Sequence, residues 1–100
     1  MTMKFLAIGH PLPEASSSEI SRLNLSEMEY VWSQYKSGAI REMYERADGR
    51  GVVLILELDD EVAARTLLDK LPLAQEHLIK VEMIELRPFS MLSALFQQIQ

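Results

Sequence analysis

The chain has 100 residues, of which 48% are hydrophobic and 25% charged, and it contains no cysteine. That balance belongs to one globular domain and excludes disulfides, thiolate metal sites and cysteine nucleophiles. A net charge of −5 makes nucleic acid and anionic membranes poor partners, because gripping phosphate needs a basic face.

The N-terminal apolar run from Phe5 to Ile8 is too short for a signal-peptide core or a membrane span, so a cytoplasmic location is the default expectation. Residues 3–9 predict a first strand ending at Gly9, and His10-Pro11-Leu12-Pro13 reads as a connector because proline lacks the N–H and fixes φ. Ser16 and Glu19 have capping-box spacing. Ile20, Leu23, Met28, Val31, Trp32 and Tyr35 then recur at helical spacing, which predicts one long amphipathic helix over about 18–36 closed by Gly38.

Ile40 to Arg46 alternates and predicts a second strand, with Arg41, Met43 and Glu45 on one face and Ile40, Glu42, Tyr44 and Arg46 on the other. Asp48-Gly49-Arg50-Gly51 is a hairpin turn of the Asp-Gly type. Val52 to Leu58 is the clearest strand, and its near-continuous apolarity predicts cover on both sides. Alternation puts Val53, Ile55 and Glu57 on one face and Leu54, Leu56 and Leu58 on the other. Asp59 and Asp60 cap a second helix with Val62, Ala63, Thr66, Leu67 and Leu71 as its buried stripe, ended by Leu71-Pro72-Leu73. Leu78 to Leu86 alternates as a fourth strand that Pro88 stops. Phe89, Leu92, Leu95, Phe96 and Ile99 make a short amphipathic tail helix over 88–100.

The order β-α-β-β-α-β is the split βαβ, ferredoxin-like arrangement: an α+β domain with a four-stranded antiparallel sheet, helices on one face and an added tail. Strands this apolar leave a greasy second face, which a second copy would hide by closing a dimeric barrel. A homodimer or larger assembly is therefore expected.

Several pieces resemble the muconolactone isomerase-like family of small dimeric α+β barrels: the short first strand running into Pro11-Leu12-Pro13, Gly38-Ala39-Ile40-Arg41 entering the second strand, the hairpin into the apolar strand, Leu71-Pro72-Leu73, and Arg87-Pro88. Arg41 matches a family arginine, while Glu42 stands in place of a histidine and Tyr44 in place of a tryptophan. The resemblance implies a small cyclic or carboxylated ligand and a proton-transfer isomerisation. Such a reaction needs a base near an acidic carbon, a donor for the developing enolate and, for an acid substrate, a cation. His10 at the mouth of the first strand, Glu57 within the apolar strand and Tyr44 are the catalytic candidates; Arg41, Glu45, Trp32 and Tyr35 are the substrate-binding ones. All but Tyr44 have a plainer reading beside them: a strand-end histidine, an edge charge, a same-face Arg41–Glu45 salt network, core or rim aromatics. No cofactor and no metal is expected, since there is no Gly-rich phosphate loop and the two histidines, His10 and His77, lack ligand spacing. Two other readings stand beside the isomerase: a cofactor-free monooxygenase or cyclase of the same barrel type acting on aromatics, and a non-catalytic assembly domain whose tail docks on a neighbour.

Overall fold

The computed structural model describes residues 1–97. The elements are β1 (Met3–Pro11), α1 (Ser17–Arg22), α2 (Asn24–Ser37), β2 (Ile40–Glu45), β3 (Val52–Leu58), α3 (Glu61–Asp69), the single-turn α4 (Pro72–Gln75) and β4 (Ile79–Leu86); a 3₁₀ turn at Ser90–Ser93 then leads into α5 (Ala94–Gln97). The strands form one antiparallel sheet in the order β2-β3-β1-β4, as a ferredoxin-like α+β fold requires.

Strand parity decides which side chains meet the helices. Phe5 and Ala7 on β1, Ile40 on β2, and Leu54 and Leu56 on β3 point to one face and are buried with Val31, Ala64, Leu67, Leu68 and Leu71 from the helices. Tyr30 ties the two main helices together, its hydroxyl donating to the Leu67 carbonyl at 2.6 Å. The opposite parity gives the second face: Leu6, Ile8, Val53, Ile55 and Ile84, none of them buried, flanked by the His10–Glu82 pair at 3.3 Å and by Glu57, which accepts from the Thr2 hydroxyl at 2.8 Å.

Local chemistry explains the joints. Ser16 Oγ accepts from the Glu19 N–H while Glu19 Oε1 accepts from the Ser16 N–H, each at 3.1 Å, so the capping box forms, and the Ser16 bonds hold the Glu19 carboxyl below its usual range. Asp60 Oδ1 caps α3 by accepting from the Ala63 N–H at 2.7 Å. Gly38 closes α2 in the left-handed region at φ 89°.

Six details differ from the sequence expectation. The buried stripe of α3 is Ala64, Leu67 and Leu68, while Val62 and Thr66 face outward and are exposed. The helix over 18–36 is two helices, broken at Leu23, whose φ of −99° and ψ of 0° sit at the edge of the helical region. The first of the two buries no residue, so its capping box holds it where packing does not. β1 runs on to Pro11, because β3 stops opposite Gly9 and no partner there needs the missing N–H. A bulge between Ile40 and Glu42 puts these two on opposite faces, so Ile40 joins Met43 and Glu45 rather than Glu42 and Tyr44. Leu71-Pro72-Leu73 does not end α3, which stops at Asp69; Pro72 instead opens α4. The tail begins as a 3₁₀ turn, and Ile99 lies outside the described residues.

The hairpin turn depends on Gly51 far more than on Gly49. Gly51 sits at φ +133°, and a Cβ there would come within 2.0 Å of the Gly9 carbonyl oxygen; Gly49 sits at φ +73° with nothing within 4 Å. We therefore expect Gly51→Ala to cost about 3 kcal/mol or more and Gly49→Ala only about 1 kcal/mol in urea denaturation. Equal costs would show that the β1–β3 approach is not what fixes the glycine.

Candidate functional site

The first-face parity also hollows the molecule. Ala7 and Gly9 on β1 are the smallest residues of that face, and beneath α2 they leave a cavity of about 450 Å³ at the β2–β3 hairpin end of the sheet. Buried Ala7, Leu54, Val31, Leu68 and Leu71 form its interior, while exposed Met28, Met43, Tyr44 and Val52 rim its mouth. The size lies within the range that takes a small organic ligand.

One charged group reaches into this apolar space. Glu27 on α2 is 7% exposed and is the one buried charged residue among the described residues. Its Oε1 accepts the Leu73 backbone N–H at 3.0 Å. That N–H belongs to the first turn of α4, where no helical partner exists, and Leu71 at the N-cap offers no side-chain acceptor. Glu27 therefore caps a helix that is not its own. No other protein hydrogen bond to the carboxyl forms among the described residues, and Glu27 is one of the residues that line the cavity. Burial pushes this carboxyl above the usual carboxylate range, while the Leu73 N–H pulls the other way. Tyr30, one turn away, has its phenol pushed up by burial first and by the Glu27 charge second.

The remaining polar liners are Asn24, Tyr44 and Glu45. Tyr44 donates to Glu42 Oε1 at 2.6 Å, and this bond holds its phenol above the usual range, so its proton is already engaged. No lysine, arginine or histidine lines the cavity, and no cluster of metal-ligating side chains exists among the described residues.

The residues marked from sequence divide sharply. Tyr44 and Glu45 border the cavity. His10 lies on the second sheet face, paired with Glu82, and Glu57 lies on that same face bound by Thr2; neither lines the cavity, and the parity of β1 and β3 is the reason. Arg41 sits in the bulge, exposed and close to Gly38. Trp32 and Tyr35 stack with centroids 5.8 Å apart on the outer side of α2, with Lys36 over the indole at 5.9 Å. His10, Arg41 and Glu57 do not converge. Glu27 was not marked, because an acid on an amphipathic helix reads as solvated. Its spacing carried the signal: Ile20, Asn24, Glu27 and Val31 form one stripe at steps of four, three and four, and all four line the cavity.

No family model and no curated protein matches the sequence. Among solved structures, muconolactone isomerase superposes with a TM-score of 0.72 at 21% identity, covering 88% of this chain and 94% of that one. The 5-chloro-2-hydroxyhydroquinone dehydrochlorinase TftG from Burkholderia phenoliruptrix AC1100, in complex with 2,5-dihydroxybenzoquinone, gives 0.70 at 15%, covering 85% and 94%. Rv0793 from Mycobacterium tuberculosis gives 0.55 at 20%, covering 90% and 97%. No described helix is long and apolar enough to cross a membrane. At these identities the likeness is one of architecture, and the chain carries the ferredoxin-like α+β fold of muconolactone isomerase over most of its length.

Proposed function

We propose that this protein binds a small, neutral cyclic organic molecule between its helices and its sheet and moves a proton on it, with Glu27 as the acid–base group. The observation that carries this reading is a buried carboxyl with one oxygen fixed by a backbone N–H, on a residue that lines an apolar cavity of about 450 Å³. Desolvation raises such a carboxyl toward the pH at which it both takes and returns a proton efficiently. Deprotonated Glu27 removes a proton from a carbon acidified by a neighbouring carbonyl, and the C–H electron pair moves into the conjugated system to leave an enolate. The same carboxyl returns the proton to a different carbon, so one C–H bond breaks, another forms and nothing is oxidised. Asn24 is the liner whose amide N–H can donate to the enolate oxygen.

The charge of the lining decides the ligand class. Two carboxylates, Glu27 and Glu45, and no cation border the space, which disfavours an anionic ligand and favours a neutral lactone, enone or quinol. The dihydroxybenzoquinone complex of TftG, a protein of the same fold, supports a compact oxygenated ring over a polycyclic one.

The working unit of this reading is a homodimer with the two second sheet faces packed together. Half-buried Leu6, Ile8, Val53 and Ile55 support it, since an apolar strip in the middle of an open sheet is unfavourable in water. Ile55→Lys is expected to give a folded monomer by light scattering where the unchanged chain gives a dimer; a variant that stays dimeric removes this face from the interface.

Two measurements test Glu27. Deuterium incorporation from D2O into neutral cyclic lactones, enones and hydroxyquinones is expected with the unchanged protein and about 10²–10⁴-fold slower with Glu27→Gln, with ligand-induced thermal shifts retained. Exchange at the unchanged rate in the variant overturns the assignment. Separately, a carboxyl whose folded pKa lies above its unfolded value holds its proton more tightly in the folded state, so stability is greatest in acid. It falls as pH rises from about 4.5, the ordinary value, through the raised folded value. Relative to the Glu27→Gln variant, the unchanged protein should lose thermal stability across that window and be the less stable of the two above it. A variant less stable at every pH would contradict the buried, raised carboxyl.

A further inference from the structure

We propose that the cavity floor at Gly9 is a seat for one methyl-sized apolar substituent on the ring of the ligand, which makes Gly9 a specificity-determining residue. This rests on the reading above that the cavity takes a neutral cyclic molecule. Gly9 stands inside β1 and is buried. A glycine weakens a strand interior, because it has no side chain to pack and loses more chain entropy on folding than alanine does. Two ordinary reasons would account for it, and neither holds. The backbone does not require it: the glycines at positive φ among the described residues are Gly38, Gly49 and Gly51. The packing does not require it either. A Cβ at Gly9 would meet Val52 Cγ2 at 3.5 Å and Ile79 Cδ1 at 3.9 Å, both ordinary contacts, and no other atom beyond the chain neighbours lies within 4 Å. Gly51 is the contrast, since a Cβ there would strike the Gly9 carbonyl oxygen.

The space left by the missing side chain has a definite size and character. Phe5, Ala7 and Gly9 share one face of β1, so the side chains shrink from a benzyl group to a methyl to nothing toward the hairpin end. Val52 on β3 and Val81 on β4 stand in register on either side of Gly9, and Ile79 lies two residues from Val81 on the same face. All three line the cavity together with Gly9. The result is a notch in the sheet floor, walled by branched aliphatic side chains and based on bare backbone. A methyl group fits it with ordinary contacts. No polar side chain borders it, so it suits an apolar group and offers a water molecule no partners beyond the sheet's own peptides.

The notch also orients the ligand. Gly9 lines the cavity from the sheet, and Glu27 lines it from α2 on the helix side. A ring between them with its substituent in the notch is fixed in rotation, and that decides which ring carbon faces the carboxyl. Alanine at this position would fill the same space with the protein's own methyl. The fold would gain a packed side chain, and the ligand would lose its seat.

Hydroquinone and methylhydroquinone test this, because the ring C–H positions of hydroquinone are equivalent and it has a single monomethyl form. Dissociation constants are measured by amide NMR titration of the full chain, unchanged and as Gly9→Ala, with the shifts of cavity residues identifying the site, and both proteins are melted. In the unchanged protein the methyl should strengthen binding about tenfold, the lower end of what one such group discriminates in an apolar pocket. In Gly9→Ala that preference should vanish, hydroquinone should keep most of its affinity, and the melting temperature should be no lower. An equal methyl preference in both proteins, or none in either, overturns the proposal and leaves ring binding standing. A variant that weakens both quinols alike makes Gly9 a support for the ring and not a seat for its substituent. A variant that melts well below the unchanged protein shows the glycine to be a demand of the fold. If neither quinol shifts a cavity amide of the unchanged protein, the ring-binding reading falls and this one with it. A methyl preference lost in Gly9→Ala without any deuterium exchange upholds the seat and removes only the acid–base role of Glu27.

Discussion

The hydrogen bond from the Leu73 N–H to Glu27 joins the fold to the site. It spans α2 and the turn before β4, and it is made by a group that the helix α4 cannot satisfy for itself. Proline at the start of α4 sets its φ and gives up an N–H that would have been free anyway, but the next N–H still needs an acceptor. A cap of this kind contributes about 1 kcal/mol. Taking a carboxylate out of water costs several times more. Structure alone would favour glutamine or a serine-type cap, so the retained acid is an expense that stability does not explain. Groups of that kind are where function is sought.

The sheet imposes the second constraint. Period-two alternation gives the four strands two distinct faces, and the chain has helices enough for one. On that face, Ala7 and Gly9 on the central strand leave room under α2, and the cavity is the consequence. On the other, larger Leu6, Ile8, Val53 and Ile55 make a half-buried apolar strip. One parity class therefore lines the cavity and the other makes a surface. A one-residue slip of register would exchange them.

Much of this was legible in the sequence where local chemistry fixes local structure. The capping box at Ser16–Glu19, the Asp60 cap, the left-handed Gly38 and the alternation of Val52 to Leu58 each name a conformation without reference to the rest of the chain. The α+β class follows from their order. What stayed hidden depends on contacts between distant segments. Leu23 breaks a helix with no glycine or proline to announce it. The bulge at Arg41 reverses the parity of Ile40, so counting alternate residues along β2 assigns it to the wrong face. The lining of the cavity was hidden for the same reason. His10 and Glu57 stand out because each interrupts an apolar strand, but both belong to the parity class that looks away from the cavity. Glu27 is inconspicuous because α2 carries two stripes, and an acid in the less apolar of the two looks like the polar face of one helix rather than the inner face of another.

That double stripe bears on both the chemistry and the assembly. A helix lying on a sheet in water needs one apolar face, and Ile20, Asn24, Glu27 and Val31 show that the inner face of this helix layer is only partly apolar. The outer stripe of Leu25, Met28, Trp32 and Tyr35 is the greasier of the two, and the core gains nothing from it. Met28 belongs to both environments, on the cavity rim and on the outer stripe. Anything seated on that stripe therefore also covers the mouth. Excluding water there deepens the desolvation that raises Glu27. Covering the outer stripe and tuning the inner carboxyl are then one event, which gives a physical reason for a helix to be apolar on the side its own core does not use.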